Sequence, residues 1–306
     1  MSLMPLFLKF WDFVGKSDEK RIARQVPTPG VTTVADIPYV DDGTREHLLD
    51  VYYPSNTKKN LPVIIDIHGG GWVYGYKEIN KNYNLCLASS GYTVFSINYS
   101  LVPQVYMHQQ LADVMLAFEF IYKAMDDYPC DRNCVYLTGD SAGGQLACFA
   151  AAIQNSPKLA LAYNVKQSSL VFNAVCLTSP VCDMTARGLM GIYHRHMLEP
   201  DYRKKRYASY LCIEDLLKVS SLPPTFLISS SGDYIAKRQT KRAALVIKES
   251  GTPYKFMYWK RSGGKLLKHV FAVVEPEWAE SAKTIDSMLQ FFEKYACGAA
   301  PEVRDE

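Results

Sequence analysis

Along most of this chain, short apolar runs alternate with amphipathic stretches. Seven runs have the length and the β-branched or aromatic content of strands: residues 47–53, 62–67, 93–98, 135–138, 174–179, 225–230 and 254–259. Between the third and fourth of these, Leu111, Val114, Met115, Phe118, Ile121 and Tyr122 recur at helical spacing, which predicts a helix packing one face on a sheet. Residues 145–153 read as a second, more uniformly apolar helix. Strands alternating with helices predict an α/β fold built on a mostly parallel sheet. No internal repeat, low-complexity segment or linker breaks the chain, so residues 1–306 are expected to form one domain.

Two stretches depart from the alternation. Residues 184–212 carry Arg187, His194, His196, Tyr202 and Tyr207 after the fifth strand and read as an insertion capping the site. Residues 1–14 are apolar and aromatic but are interrupted by Lys9 and Asp12, with no positive start and no small-residue cleavage site. That argues against a signal peptide, and the stretch is too short to span a bilayer. An amphipathic helix covering a pocket is the expectation, with peripheral membrane contact as the other option. Cap elements are thus expected from residues 1–40 and 184–212.

The chemistry concentrates at Gly139-Asp140-Ser141-Ala142-Gly143-Gly144. A serine set among glycines between a strand and a helix reads as a nucleophile elbow, because a tight turn can lift the hydroxyl clear only when its packed neighbours lack side chains. A serine needs a base, an orienting acid and an oxyanion hole. After the strand at 62–67 comes His68-Gly69-Gly70-Gly71-Trp72, whose glycines let backbone amides turn toward a developing oxyanion, and Ala142 adds a donor beside the nucleophile.

Of the six histidines, His269 follows a strand through a glycine-containing loop and is the candidate base. For the acid, Asp233 follows the strand at 225–230, and Asp183, after the strand at 174–179, is its rival. The other readings of the glycines fail: Tyr74 stands where a dinucleotide-binding loop needs glycine, and Tyr76 where a phosphate loop needs lysine.

At these residues the chain resembles the hormone-sensitive-lipase-like esterases of the α/β-hydrolase fold. The resemblance rests on His68 to Trp72, on Gly139 to Gly144, on Asp233 and on His269-Val270-Phe271, and runs in family order over about residues 45 to 295. It implies ester hydrolysis by a serine carboxylesterase through an acyl-enzyme, with Ser141, Asp233 and His269 catalytic and a partly helical cap; short-chain carboxylic esters are the expected substrates. It also implies Gly69, Gly70 and Ala142 as oxyanion donors, His68 bracing the loop, and no metal or organic cofactor. Two positions depart from the family pattern. Lys237 ends the run from Asp233 where a second aspartate is usual, and Ser100 stands where arginine is usual. An amidase or peptidase on the same triad, or a binding protein without chemistry, are the alternative readings.

Composition narrows the partners. A net charge of +3 is too mild for a nucleic-acid binder, so a small-molecule ester is the expected partner, without stable membrane insertion and with a homodimer left open. Basic clusters at 203–206 and at Lys237, Arg238, Lys241 and Arg242 read as solvated faces. The eight cysteines form no small-domain disulfide framework, which fits a reducing cytoplasm. Cys130 with Cys134, and His194 with His196, lack the further ligands that a metal site needs.

Overall fold

In the computed structural model, residues 3–296 are described except for 27, 59 and 263. Eight strands form one sheet: β1 (Val31–Pro38), β2 (Leu48–Pro54), β3 (Leu61–Ile67), β4 (Thr93–Ile97), β5 (Cys130–Asp140), β6 (Ala174–Thr178), β7 (Thr225–Ser230) and β8 (Tyr254–Trp259). Their order is β1-β2-β4-β3-β5-β6-β7-β8, antiparallel at the first two pairings and parallel from β4 onward. The helices are α1 (Met4–Ile22), α2 (Lys81–Ser89), α3 (Met107–Ala124), α4 (Ser141–Gln154), α5 (Pro157–Tyr163), α6 (Gly188–Arg195), α7 (Ile213–Leu217), α8 (Lys237–Glu249), α9 (Phe271–Val274) and α10 (Ala279–Lys294).

Seven strands lie where the apolar runs predict them. The eighth, β1, went unread because its Thr32, Thr33 and Asp36 leave no clean alternation. It is an edge strand whose register shifts between Val34 and Ile37, and Asp36 there has φ of 57°. β5 begins five residues earlier than its apolar run, since Asp131, Arg132 and Asn133 hide its start.

Central parallel strands are covered on both faces and so read as continuous apolar runs. β6 is buried throughout, and β3 from Val63 to Ile67. One face of the sheet packs on α3 and α4, the other on α2, α9 and α10. The stripe on α3 behaves as its spacing predicts: Leu111, Val114, Met115, Phe118 and Ile121 are buried and Tyr122 packs at the edge. α4 is buried on all sides from Ser141 to Ile153, which is why its sequence shows little amphipathic contrast.

Strand register places the site. Ile67 pairs with Gly139, Thr178 with Asp140, and Ser230 with Trp259. The C-terminal ends of β3, β5, β6, β7 and β8 therefore reach one edge of the sheet together, and the loops after them share a crevice. Among the described residues, no helix is long and apolar enough to cross a membrane, and no three or more His, Cys, Asp or Glu side chains gather as a metal site would require.

Candidate active site

Ser141 sits at the junction of β5 and α4 with φ of 53°. A non-glycine residue held in the left-handed region costs about 1–3 kcal/mol and persists only where its surroundings over-determine it. Here they do. A Cβ on Gly143 would lie 2.1 Å from the carbonyl oxygen of Ile67, and one on Gly139 would lie 2.5 Å from that of Gly143. The glycines let the elbow press against the end of β3, and that contact fixes the turn.

His269 follows β8 in the chain, and its Nε2 lies 2.9 Å from Ser141 Oγ. Its Nδ1 lies 2.9 Å from Asp233 Oδ1. The loops carrying Asp233 and His269 are joined by a bridge between Gly232 and Lys268 and by the Ser230 hydroxyl, which donates to the Leu267 carbonyl at 2.6 Å. Asp233 also accepts from the amides of Ile235 and Ala236 at 3.0 and 2.9 Å. Burial pushes its carboxyl up, but the hydrogen bond and charge of His269 and the Ala236 amide outweigh it and hold it below its ordinary value. An ionised carboxylate only accepts, so the proton of neutral His269 sits on Nδ1 and Nε2 is free to accept from Ser141.

The rival acid is committed elsewhere. Asp183 accepts from Arg242 Nη1 at 2.8 Å and from the Thr185 amide and hydroxyl at 2.8 and 2.6 Å. That ion pair ties the segment after β6 to α8.

Among the expected oxyanion donors, Gly69 needs correction. Its amide donates to Asp140 Oδ1 at 3.0 Å, so its proton is spent inside the protein, and Gly69 does not line the crevice. Gly70 and Gly71 do line it, beside Ser141 and His269. Both have positive φ, 116° and 58°, and a Cβ on Gly70 would lie 1.8 Å from the Tyr74 carbonyl oxygen. Ala142, as the second residue of α4, keeps an amide with no intrahelical acceptor. The third glycine, Gly71, was legible in the motif but not its place at the crevice.

His68 supports this loop from beneath. It is fully buried, stacks on Tyr99 with ring centroids 4.4 Å apart, and lies 2.7 Å through Nδ1 from the Gly69 carbonyl. Burial lowers its pKa to about 4, so the ring stays neutral. Behind the loop is a network that no sequence motif announced. The Asn80 amide group donates to Asp140 Oδ1 at 2.9 Å and to Asp66 Oδ2 at 3.0 Å, and Asn84 donates to the same Asp66 oxygen at 3.0 Å. Burial raises the Asp140 carboxyl. It also raises Asp66 to about 7, with the charge of Asp140 adding to the effect.

The crevice opens into a cavity of about 520 Å³. Phe7, Trp11 and Val14 of α1 and Leu189, Met190 and Tyr193 of α6 cover it, with Trp72 and Val181 on the sheet side. Trp11 donates from its indole to the Tyr193 hydroxyl at 2.9 Å, and Phe7 meets the Tyr193 ring edge-on at 4.7 Å. Arg21, at the far end of α1, donates to the carbonyls of Val274 and Ile79 and pairs with Asp18.

A serine elbow, a histidine and a buried carboxylate hydrogen-bonded in sequence, facing a glycine turn, is the arrangement of an α/β-hydrolase. The BD-FAE family pattern matches residues 49–238. The chain belongs to the BD-FAE family, within the hormone-sensitive-lipase-like α/β-hydrolase esterases. Esterase B from Lactobacillus Rhamnosis, a solved structure, superposes with a TM-score of 0.88 at 30% identity, covering 96% of this chain and 95% of that one. The probable isoprenylcysteine alpha-carbonyl methylesterase ICME of Oryza sativa subsp. japonica is 28% identical over 235 residues, 73% of this chain and 55% of its own length. Neutral cholesterol ester hydrolase 1 of Mus musculus is 38% identical over 123 residues, 36% of this chain and 30% of its own. The chain spans about half the length of the plant relatives it matches. The BD-FAE match covers β2 through the start of α8, hence the glycine turn, the elbow and Asp233, while His269 lies beyond it.

Proposed function

We propose that this BD-FAE chain is a serine carboxylesterase acting on neutral, short-chain esters. The observation that carries the reading is the continuous set of hydrogen bonds from Ser141 through His269 to Asp233, 2.9 Å at each step, at the mouth of an apolar cavity. In this mechanism Ser141 Oγ attacks the ester carbonyl carbon while its proton passes to His269 Nε2. Asp233 holds the imidazole in the tautomer that accepts that proton and stabilises the imidazolium. The amides of Gly70, Gly71 and Ala142 serve in this reading as donors to the developing oxyanion, where preorganised donors contribute most. His269 then protonates the leaving alkoxide, and a water repeats the sequence on the acyl-enzyme to release the acid.

Substrate charge follows from the lining. The ionisable groups around the cavity are already engaged: Asp18 and Arg21 pair with each other, and Asp140 accepts from Gly69 and Asn80. Among the described residues lining the cavity, no unengaged charge remains to neutralise a charged acyl group, so a neutral ester suits the site. A cavity of about 520 Å³ holds a short acyl chain and a modest alcohol. A relative supports that size: Esterase B has been solved inhibited by a C4-C4 tributyrin phosphonate. The thiols of Cys86, Cys130, Cys148, Cys176, Cys182 and Cys212 fit a cytoplasmic setting; Cys297 lies outside the described residues.

The test compares hydrolysis of p-nitrophenyl acetate, butyrate, octanoate and laurate by wild type and Ser141→Ala. Turnover greatest on acetate or butyrate, and reduced at least about 10⁴-fold in the variant, is the expected result. Equal turnover by the variant would overturn the serine assignment, and a preference for laurate would overturn the short-chain one. A fluorophosphonate probe should label wild type at Ser141 and leave Ser141→Ala unlabelled.

A further inference from the structure

The helix covering the cavity has two apolar stripes, and only one of them is used. Phe7, Trp11 and Val14 turn inward over the site; of Leu3, Leu6, Phe10 and Phe13, spaced three, four and three residues apart along the other stripe, Phe10 reaches the cavity rim and the other three stand clear of it. Leu6, Phe10 and Phe13 are 62%, 58% and 72% exposed. Across the opening, Leu189 at the start of α6 is 73% exposed, and Tyr234 and Ile235 in the loop after β7 are 78% and 56% exposed. Phe10, Leu189 and Ile235 also line the cavity. The rim of the site and the exposed apolar surface are thus continuous. Leaving large apolar side chains together in water is unfavourable and marks a surface that meets something apolar.

Charge indicates what that is. At 3.6 residues per turn, Lys9 and Lys20 of α1 fall directly beside the outward stripe, and both are exposed. Lys16 comes next and pairs with Asp12, and Glu19 lies beyond it on the far side of the helix. Arg187 and Arg195, at the two ends of α6, and Arg238, at the start of α8, are exposed as well. An apolar stripe edged by lysines is the pattern of a helix lying in the plane of a membrane interface, with the ammonium groups reaching anionic headgroups. A protein partner seated here would cover the mouth of the cavity. A lipid surface would instead deliver apolar esters to it.

We propose that the outward face of α1, with Leu189, Tyr234 and Ile235, seats this chain on an anionic phospholipid bilayer with the cavity mouth turned toward the lipid. The contact is peripheral: the stripe enters the headgroup region and nothing crosses the bilayer. This goes beyond the ester-hydrolase reading, because lipid binding does not require Ser141.

Sedimentation with sucrose-loaded vesicles of phosphatidylcholine alone, and of phosphatidylcholine with 30% phosphatidylserine, tests it. Binding to the serine-containing vesicles at least tenfold stronger, and weakened by raising salt from 50 to 500 mM, is expected. Leu6→Glu/Phe13→Glu should lose that binding at least tenfold while turning over soluble p-nitrophenyl butyrate within twofold of wild type, since neither side chain lines the cavity. Lys9→Glu/Lys20→Glu should erase the preference for phosphatidylserine. Wild type that fails to bind either vesicle, or a Leu6→Glu/Phe13→Glu variant that binds as wild type does, would overturn the proposal. So would a wild-type dimer in light scattering that this variant converts to monomer, which would assign the face to a second copy. Ser141→Ala should bind vesicles as wild type does, which separates failure of the lipid reading from failure of the hydrolytic one.

Discussion

The Tyr193 hydroxyl donates to the Gly71 carbonyl oxygen at 2.6 Å while it accepts the Trp11 indole proton at 2.9 Å. Three elements meet at that oxygen: α1, α6 and the glycine turn that lines the crevice beside Ser141. Gly71 has φ of 58°, and a Cβ there would lie 2.2 Å from the Trp11 ring, so the turn is held from its carbonyl side by the covering helices. Tyr193→Phe removes the bond without emptying the space. A neutral hydrogen bond is worth roughly 1 kcal/mol net, which corresponds to a fivefold fall in kcat if it acts by orienting the oxyanion donors. The expected result is a fall in kcat of about that size on p-nitrophenyl butyrate with KM changed less than twofold. A rise in KM with kcat unchanged would mean that Tyr193 only shapes the cavity.

Two aspartates in equivalent-looking positions after strands differ in what they hold. Asp233 orients His269, while Asp183 binds Arg242 and Thr185. Replacing an orienting acid by its amide keeps the shape but inverts the tautomer, at a cost of about 10⁴ in kcat. Asp233→Asn should therefore lose about that factor. Asp183→Asn should keep activity within about twofold while lowering the melting temperature, because the partly buried Arg242 pair is lost. Activity lost at Asp183 and kept at Asp233 would reverse the assignment.

Gly143 sets the geometry of the elbow by contact. An alanine there places a Cβ 2.1 Å from one carbonyl oxygen, of Ile67, and 2.3 Å from another, of His68. Both belong to the backbone at the end of β3 and cannot rotate away, so the strand and the elbow must separate. Gly143→Ala should be at least about 2 kcal/mol less stable, within the range for strained core positions. Ser141 in any folded fraction should react more slowly with a fluorophosphonate. Wild-type melting and labelling would show that the elbow has slack.

These contacts mark how far the sequence could be read. Strands and elbow were legible because apolar runs and glycine spacing report local geometry, and the order Ser141, Asp233, His269 follows from the loops after successive strands. Asp233 was preferred to Asp183 on chain order and on the family resemblance, since both follow apolar runs; what Asp183 does instead, binding Arg242 and Thr185, needed three dimensions. The misread Gly69 has the same origin: its amide is taken by Asp140, seventy-one residues away, and no spacing reports a partner at that distance. β1 escaped because an edge strand with a bulge has no fully buried face to impose a pattern. Asn80 escaped because an asparagine in a polar stretch resembles a surface residue until Asp66 and Asp140 are placed on either side of it.

That pair of carboxylates gives the chain a pH-dependent stability. Asp66 is completely buried, and its pKa is raised from 3.8 to about 7 by burial and then by Asp140. With a raised pKa the folded state holds a proton that the unfolded chain has already released, so between about pH 4 and 7 stability falls as pH rises. Above that window both states are ionised and the whole penalty is present, bounded by roughly 4 kcal/mol for a shift of this size. Asp66→Asn removes the charge and keeps an oxygen that can accept from Asn80 and Asn84. It should raise the urea midpoint at pH 8 relative to wild type, and the gain should shrink toward zero by pH 4. Asn80→Ala should act in the opposite direction, leaving both carboxylates short of a donor and lowering stability most at pH 8. If Asp66→Asn is destabilising by the same amount at both pH values, Asp66 is held as an ordinary ionised group and its carboxylate is needed by its two asparagine donors.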